Sequence, residues 1–534
     1  MEDSGVQKVE IVFLLLLLFV AAFGALSSRL RIPYPIVLVI AGLLLGFVPG
    51  IPKITLDPDV IFFVVLPPLL SSAAWNISWR EFSYNLVSIL FLSVGLVIFT
   101  VLGVAGLAQR FLPGFDWRMG FTLGAVVAPT DAIAATSIAR RIGLPKRIVD
   151  ILEGESLIND ASALLALEFG VAMLVRGETP TVAFGLLRLA YLVAAGIAVG
   201  LLIGVIIYWI EHHIDDAPIT IALSFLTPYT AYLAADSIRA SGVLAVVACG
   251  LYLSRRSSSF LSPGVRLQAY AVWESLIFIL NGLVFVLIGL QLPYVMDGIR
   301  DYGLLQLLTF GAFFSALLIA LRLIWVFPGA RLSYFIHRRV LHHRETPPPA
   351  RQVFIVGWTG MRGVISLAAA IALPQTLANG APFDQRQLII FLAFSVILVT
   401  LHLQGLTLPS LIRALGLAGA ASRDTEEEEA RRAILETALR RLEEARENDM
   451  SGYAEVFDNL EFHYRNRLAH LTEEEAGVLS ERNRRFVELA RELLQVERRT
   501  AIRLRNEDRI NDELLRQLEL ELDLIEARFL TGGV

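Results

Sequence analysis

Two neighbouring stretches decide how this chain is read: Gly124-Ala-Val-Val-Ala-Pro-Thr-Asp-Ala-Ile-Ala-Ala-Thr136 and Leu152-Glu-Gly-Glu-Ser-Leu-Ile-Asn-Asp-Ala161. Each lies in an otherwise apolar run long enough to cross a bilayer, which takes about 20 residues. An Asp or Arg at the centre of such a helix costs roughly 2.5–3.5 kcal/mol on the translocon scale, so ionisable residues there are functional candidates. Pro129 has no N–H and breaks the hydrogen-bond ladder one turn earlier. In lipid the freed carbonyls survive only inside protein or against a wet cavity. A broken helix with Thr130 and Asp131 at the break points to an ion site. The plainer reading is a kinked helix whose Asp131 caps its own second half. In the second stretch Ser156 and Asp160 stand four apart and share a helix face, with Glu155 and Asn159 as the adjacent pair. Oxygen ligands at several heights on one face suit hard cations and protons rather than zinc or copper. The plainer reading is a polar helix surface paired with its neighbours.

Composition supports a membrane setting. Of the 534 residues, 55% are hydrophobic and only 18% charged, against about 25% charged in soluble domains. The charge is concentrated at one end. Residues 421–534 hold 19 Arg and 28 Asp or Glu, a net charge of −9; residues 1–420 hold 27 Lys or Arg and 23 Asp or Glu, a net charge of +4. An apolar body with a solvated tail excludes an ordinary soluble enzyme, and the lack of a basic domain argues against nucleic-acid binding. The single cysteine, Cys249, excludes an intramolecular disulfide and a Cys-rich metal site.

Thirteen apolar runs qualify as spans: 9–27, 33–50, 58–75, 85–109, 118–139, 149–175, 181–210, 217–235, 241–254, 270–296, 302–327, 352–374 and 387–412. The leader before the first run is net acidic and the run is long, which favours a retained span over a signal peptide. An odd number of spans puts the termini on opposite sides. With the charged tail in the cytoplasm, fifteen basic loop residues fall inside, among them Arg31, Arg140, Arg141, Arg255, Arg256 and Arg344, against eight outside, among them Lys53 and Arg300. The positive-inside rule therefore favours an outer N-terminus and a cytoplasmic C-terminus. The acidic segment 211–218 reads as a loop and carries no orientation signal.

A second interruption occurs in Gly357-Trp-Thr-Gly-Met-Arg-Gly-Val-Ile365, where three glycines surround Arg362. It falls in the twelfth span, seven after the break at Pro129, so the two run in opposite directions. If spans 1–6 and 8–13 are repeats, each break lies in the fifth element of its repeat, as an inverted-topology repeat requires. Other intramembrane polar residues are Asp236, Glu274, Asn281, Arg322, His402 and Gln404. Arg322 is expected to meet a carboxylate or an interface, and His402 to be a satisfied structural histidine. The pairs His212-His213 and His342-His343 are read as solvated loop residues.

In combination, Pro129-Thr-Asp131, Gly154-Glu-Ser-Leu-Ile-Asn-Asp160, Ser241-Gly-Val-Leu-Ala-Val-Val, Gly360-Met-Arg-Gly363 and Leu403-Gln-Gly-Leu-Thr-Leu-Pro409 resemble the NhaP/NHE-type sodium–proton exchangers of the monovalent cation:proton antiporter superfamily. The likeness covers roughly residues 10–417 in the same order. Leu66-Pro-Pro-Leu-Leu-Ser-Ser-Ala-Ala-Trp75 and the helical tail resemble the bacterial branch. The resemblance implies an all-α membrane protein of about thirteen transmembrane helices, with inverted repeats and two broken crossing helices. A transmembrane exchange domain over 1–417 would precede a cytoplasmic charged helical tail over 418–534. The implied activity is secondary antiport of Na⁺, or Li⁺ or K⁺, for H⁺ across the plasma membrane, serving pH homeostasis, with no enzyme chemistry and no cofactor. A homodimer in the bilayer is implied as well.

Carried over residue by residue, Asp160 resembles the carboxylate that binds cation and proton in turn, and Asp131 the acid of the crossing break. Thr130 and Ser156 resemble further ligands of the transported Na⁺. Asn159 resembles the asparagine that contacts the Thr130 region, and Glu155 and Arg362 a charge pair holding the core together. Ser71-Ser72 depart from the pattern, because many members carry a glutamate after the Pro-Pro segment. A carboxylate in an apolar bundle is disfavoured as a bare anion, so occupancy by proton or cation lets the site cross the bilayer. Asn159 beside Asp160 leaves one charge to exchange, and the resemblance implies one cation for one proton.

Residues 421–534 place Leu435, Leu439, Leu442, Leu515, Leu518 and Leu522 among charges, which reads as amphipathic helices with i,i+4 ion pairs. Two other function classes fit the sequence less well. A membrane sensor signalling through the tail would show signature motifs there, and none is present. An intramembrane hydrolase using Ser156 lacks a histidine partner in any recognisable triad arrangement.

Overall fold

The computed structural model describes residues 3–30, 32–48, 57–177, 181–299, 302–340, 342, 347–377, 380–419, 425–447, 454–469, 476–507, 509 and 512–531. Arg31, Lys53, Arg300, His343 and Arg344 lie outside the described residues. The chain forms two compact units, Met1–Ala420 and Ala421–Val534.

Among its described residues the first unit is built of helices and their connections, with no strand beyond one isolated β-bridge between Thr376 and Pro382. Its helices in order are α1 (Asp3–Leu30), α2 (Tyr34–Gly46), α3 (Leu66–Asn76), α4 (Trp79–Leu90), α5 (Leu96–Phe111), α6 (Trp117–Val127), α7 (Ala132–Ile142), α8 (Lys146–Arg176) and α9 (Val182–Glu211). There follow α10 (Ala217–Ser237), α11 (Gly242–Phe260), α12 (Pro263–Leu290), the short α13 (Leu292–Asp297), α14 (Leu304–Arg339), α15 (Ala350–Trp358), α16 (Val364–Ile371), α17 (Arg386–Val399) and α18 (Gly405–Ala414). Wider π-turns at Val60–Val65, Phe91–Gly95 and Thr400–Gln404 lead into α3 or join α4 to α5 and α17 to α18. Eight helical segments among the described residues are long and apolar enough to cross a membrane, and three shorter apolar ones accompany them.

Local chemistry sets the ends. Asp116, Asp216 and Ser241 cap α6, α10 and α11 by accepting the N–H three residues on, as short oxygen side chains do at helix starts. Between α7 and α8 the chain turns on Gly143, at φ +73°, a left-handed position that favours glycine; Pro145 then pre-sets the first turn of α8. Helices that are apolar all round leave large side chains outside: Leu187 on α9 is 71% exposed and Leu305 on α14 is 80% exposed. Such faces suit lipid.

Two apolar cores organise the unit. The larger draws on α2, α6 to α8, α12 and α14 to α18; the second gathers α3, α4, α9, α10 and α11. Where helices meet closely, glycine replaces side chains. A Cβ on Gly124 of α6 would lie 2.8 Å from Val101 Cα of α5, the small-residue contact that lets membrane helices approach backbone to backbone.

The expected interruptions are present. Helix ends at Val127 and resumes at Ala132, and ends at Trp358 and resumes at Val364. The two non-helical segments touch: the Asp131 N–H donates to Met361 C=O at 2.8 Å.

The second unit contains α19 (Thr425–Glu447), α20 (Ala454–Ala469), α21 (Ala476–Asn506) and α22 (Asp512–Thr531). Arg446 of α19 pairs with Asp458 and Glu461 of α20 at 2.9 and 3.1 Å, and Arg498 of α21 with Asp523 and Glu526 of α22. Leu435, Leu515 and Leu522 are buried. The ions that join helices here are 25% to 61% exposed, so each pair contributes at most about 1 kcal/mol, and the apolar stripes do the rest.

Candidate ion-binding site

The site is built where the two breaks face the middle of α8. Asp131 is the first fixed point. Its Oδ1 accepts the Ile133 N–H at 2.8 Å and caps α7. Capping uses one carboxylate oxygen and leaves the other for a second partner, so the plain capping role does not exclude a place in an ion site. Opposite it stands Gly363: a Cβ there would lie 2.7 Å from both Cβ and Oδ2 of Asp131. Glycine is what allows the second break to reach the first.

From α8, Ser156 Oγ donates to Thr130 C=O at 3.0 Å, and Asn159 Nδ2 donates to Thr130 Oγ1 at 2.8 Å. Thr130 Oγ1 in turn donates to Glu155 Oε1 at 3.2 Å. The Thr130 carbonyl, which lies in the break between α6 and α7, thus finds a hydroxyl, as a buried backbone group must. Glu155, Asn159 and Asp160 are 1%, 1% and 5% exposed, and Thr130 is 5% exposed. Thr130, Asp131, Glu155, Ser156, Asn159 and Asp160 thus stand together here.

Glu155 and Arg362 do not form the expected charge pair. Glu155 is held by Arg322 of α14, with Nη1 to Oε1 at 2.5 Å and Nη2 to Oε2 at 2.8 Å, both side chains almost fully buried. Arg322 also donates from Nε and Nη2 to Val356 C=O at 3.3 and 3.0 Å. Arg362 serves carbonyls: its Nε donates to Val127 C=O at 3.2 Å and its Nη1 to Gly360 C=O, while its N–H reaches Thr400 Oγ1 at 3.2 Å. The physical reason lies in geometry. A carboxylate accepts a planar guanidinium through two parallel bonds, and Arg322 takes that place; Arg362 ties off the carbonyls that both breaks release. Gly360 lies between the two arginines, since a Cβ on it would stand 2.8 Å from Arg322 Nε and 3.1 Å from Arg362 Nη1.

On the other side of α8 lies a cavity of about 490 Å³. Asp160, Asp131, Ser156 and Thr130 line it, together with Asn281 of α12, Tyr34 of α2, and Ser72 and Asn76 of α3. At its far end stand Arg140 and Glu153, an ion pair of 2.6 Å at the turn between α7 and α8. Asp160 Oδ1, Asn159 Oδ1 and Asn281 Oδ1 are buried without a hydrogen-bond partner. Most buried polar atoms are paired, so the open oxygens of Asp160 and Asn281, both of which line the cavity, mark a place for an occupant. The set is oxygen only, and among the described residues no group of three or more His, Cys, Asp or Glu could hold a metal. Such a shell suits a transported alkali cation or a proton better than a resident transition metal. Asn281 was visible in the sequence only as a polar residue in an apolar span. Of the serine pair at 71–72, Ser72 faces this cavity, without a carboxylate. His402 is satisfied by Leu398 C=O at 2.8 Å, four residues back on its own helix.

Comparison with known proteins bears on this geometry. The profile of the family described as sodium/hydrogen exchanger, transmembrane, matches residues 14–414. An uncharacterized Na(+)/H(+) exchanger of Mycobacterium tuberculosis is 34% identical over 536 residues, covering 99% of this chain and 97% of the relative. The Na(+)/H(+) antiporter ApNhaP of Aphanothece halophytica is 34% identical, covering 79% of this chain and 78% of its own. A sodium, potassium, lithium and rubidium/H(+) antiporter of Bacillus pumilus is 32% identical, covering 83% and 67%. The sodium proton antiporter MjNhaP1 of Methanocaldococcus jannaschii shares the fold, with a TM-score of 0.59 at 18% identity, over 77% of this chain and 99% of that one. A multi-pass helical body with two touching helix breaks, matched by the family profile from end to end, leaves one placement: the chain belongs to the transmembrane sodium/hydrogen exchanger family.

Proposed function

We propose that the chain is a secondary active antiporter that exchanges Na⁺, or Li⁺ or K⁺, for H⁺ across the plasma membrane, with Asp160 as the exchanging carboxylate. The observation that carries this reading is the open Oδ1 of Asp160, buried and facing a cavity bounded by both helix breaks. Asp131, Ser156 and Thr130 supply further oxygens to the cation, and Asn159 and Glu155 hold Thr130 in place. Arg362 keeps the two breaks joined, and Arg322 shares that duty.

The mechanism follows from electrostatics. A bare anion in an apolar bundle costs several kcal/mol even after relaxation. Asp160 therefore crosses the bilayer carrying either a proton or a cation. Asn159 brings no charge of its own, so one proton leaves for each cation that enters and the cycle is electroneutral. With the N-terminus outside and the tail inside, the turn holding Arg140 is cytoplasmic, and the cavity then reaches Asp160 from the cytoplasm. Alternating access closes that route and opens one on the other face by moving α6 to α8 and α15 to α18 against the bundle of α3 and α9 to α12. Thirteen crossings, a homodimer in the bilayer, an exchange domain over 1–417 and a cytoplasmic tail over 418–534 complete the reading, which contains no enzymatic step.

Proteoliposomes with an internal pH dye test it. Addition of NaCl, KCl or LiCl is expected to move protons in the opposite direction, and the ranking of the three salts gives the selectivity. Silence toward all three alkali cations from pH 6 to 9 would reject antiport (roughly the range in which a carboxylate of raised proton affinity exchanges).

A further inference from the structure

A second cavity, of about 370 Å³, lies in the other bundle, between α3, α9, α10, α11 and α12. The helices contribute their ends to it. Trp75 closes α3, Glu211 closes α9, Thr220 stands in the first turn of α10 and Arg266 in the first turn of α12. The cavity thus sits where the chain turns from α9 to α10 and from α11 to α12, at the depth where a membrane protein meets headgroups.

Its polar groups are unusual in being unspent. Glu211 is 4% exposed, and its carboxylate makes no ion pair or hydrogen bond among the described residues. Thr220 is also 4% exposed, and its hydroxyl has no partner. Arg266 donates from Nη2 to Leu261 C=O at 3.0 Å, but its buried Nε meets no acceptor. A carboxylate and a guanidinium therefore line one cavity without pairing with each other. Buried charges without partners are costly, and each is relieved by a ligand group of opposite sign.

The remaining walls narrow the chemistry. Trp273, fixed by its Nε1 donating to Ser224 Oγ at 2.9 Å, and Tyr270 offer aromatic surfaces, which attract organic ammonium groups. Glu274 at the rim is exposed and adds a second negative charge. An alkali ion wants about six oxygens at close range, and this mainly apolar chamber is too large and too poor in oxygen for one. Its volume is that of a small-molecule site, roughly 300–1,000 Å³.

We propose that this cavity binds a zwitterion made of a primary ammonium and a phosphate, with the ammonium on Glu211 and the phosphate on Arg266. The phosphoethanolamine headgroup of a membrane lipid and free phosphoethanolamine share that chemistry. The placement at headgroup depth makes the lipid the natural source, with its acyl chains along the exposed Leu267 of α12.

Binding of phosphatidylethanolamine and phosphatidylglycerol to the delipidated full-length protein, measured by native mass spectrometry, tests the proposal whether or not the chain exchanges ions. The ethanolamine lipid is expected to bind about tenfold or more tightly than the glycerol lipid, as one charge-assisted hydrogen bond allows. Glu211→Gln should remove that preference, and Arg266→Gln should weaken the binding of both lipids, since both carry the phosphate. Glu211→Gln keeps the shape of a buried side chain, and Arg266 is only half-buried, so loss of one variant in folding leaves the other to report. Competition by soluble phosphoethanolamine would assign the site to the free zwitterion; failure to compete would assign it to the lipid. Equal binding of the two lipids by the unaltered protein, an undiminished preference in folded Glu211→Gln, or undiminished lipid binding by folded Arg266→Gln overturns the proposal.

Discussion

Glu155 and Asp160 are carboxylates five residues apart on α8, both buried, and their surroundings differ in kind. Glu155 has both oxygens on the Arg322 guanidinium and receives the Thr130 hydroxyl as well. Asp160 keeps Oδ1 open beside a cavity of about 490 Å³. One charge is fixed by a full set of bonds, and the other is left able to change its occupant. Burial alone does not separate a structural carboxylate from a working one; the state of its hydrogen bonds does.

The largest expected effect comes from the open carboxylate. Asp160→Asn keeps the shape and removes the exchangeable charge, so cation-driven proton flux in proteoliposomes is expected to vanish while size-exclusion behaviour and melting stay those of the unaltered protein. A folded Asp160→Asn that exchanges at an ordinary rate would break the contrast by showing that the open oxygen is incidental.

The paired carboxylate should respond in stability first. Removing one partner of a buried ion pair leaves the other charge uncompensated, at a cost of roughly 3–5 kcal/mol. Glu155→Gln and Arg322→Gln are therefore expected to lower the melting temperature clearly. Arg362→Gln loses bonds to carbonyls and strands no carboxylate, so its cost should be nearer 1–3 kcal/mol. Melting curves for the three variants rank them. Equal loss at Arg322 and Arg362 would mean that the two guanidinium groups share Glu155 in solution.

A smaller and quantitative effect concerns competition. If proton and Na⁺ contend for Asp160, each unit of acidification below its pKa multiplies the proton-to-site ratio by ten, and the apparent KM for Na⁺ should rise about tenfold per unit. With no net charge moved, an imposed potential should leave the Na⁺/H⁺ reversal point in place. One net charge would couple at about 2.3 kcal/mol per 100 mV. A reversal point that follows a valinomycin-set potential would give Asp131 a proton of its own to exchange, and Asp131→Asn should then abolish the voltage response.

What could be read from sequence follows the same division. Pro129 and the glycines around Arg362 announce helix breaks locally, because each residue acts on its own backbone. The spacing of Ser156 and Asp160 fixes their shared side of α8 for the same reason. Partners across the bundle carry no such local mark. Arg322 lies 167 residues from Glu155 and stands among apolar neighbours with nothing to point at its carboxylate, whereas Arg362 sits in a conspicuous motif. Glu211 was hidden differently. It begins an acidic string that reads as a loop, yet α9 continues through it and buries it. Asn281 joined the ion cavity only because α12 packs on α2 and faces the break, which is a tertiary fact.

The smallest effect is expected from the second unit. Every proposed ligand precedes residue 421, and the ion pairs of α19 to α22 described above close within that unit. They are also solvent-exposed: Arg446 and Asp458 are 45% and 61% exposed, so each such pair contributes little and is screened by salt. A chain ending at residue 420 is therefore expected to insert and exchange, since nothing in the Asp160 cavity is lost. Its pH dependence should shift, because the deleted unit carries a net charge of −9, and a charged body attached to the transporter biases proton concentration near its surface within about a Debye length, ~10 Å at 0.1 M salt. Raising ionic strength should shrink the difference between the full and shortened chains. A correctly inserted 1–420 chain that is silent at every pH would show that the tail completes the transport machinery, and the contrast between fixed and open carboxylates would then have to extend beyond α8.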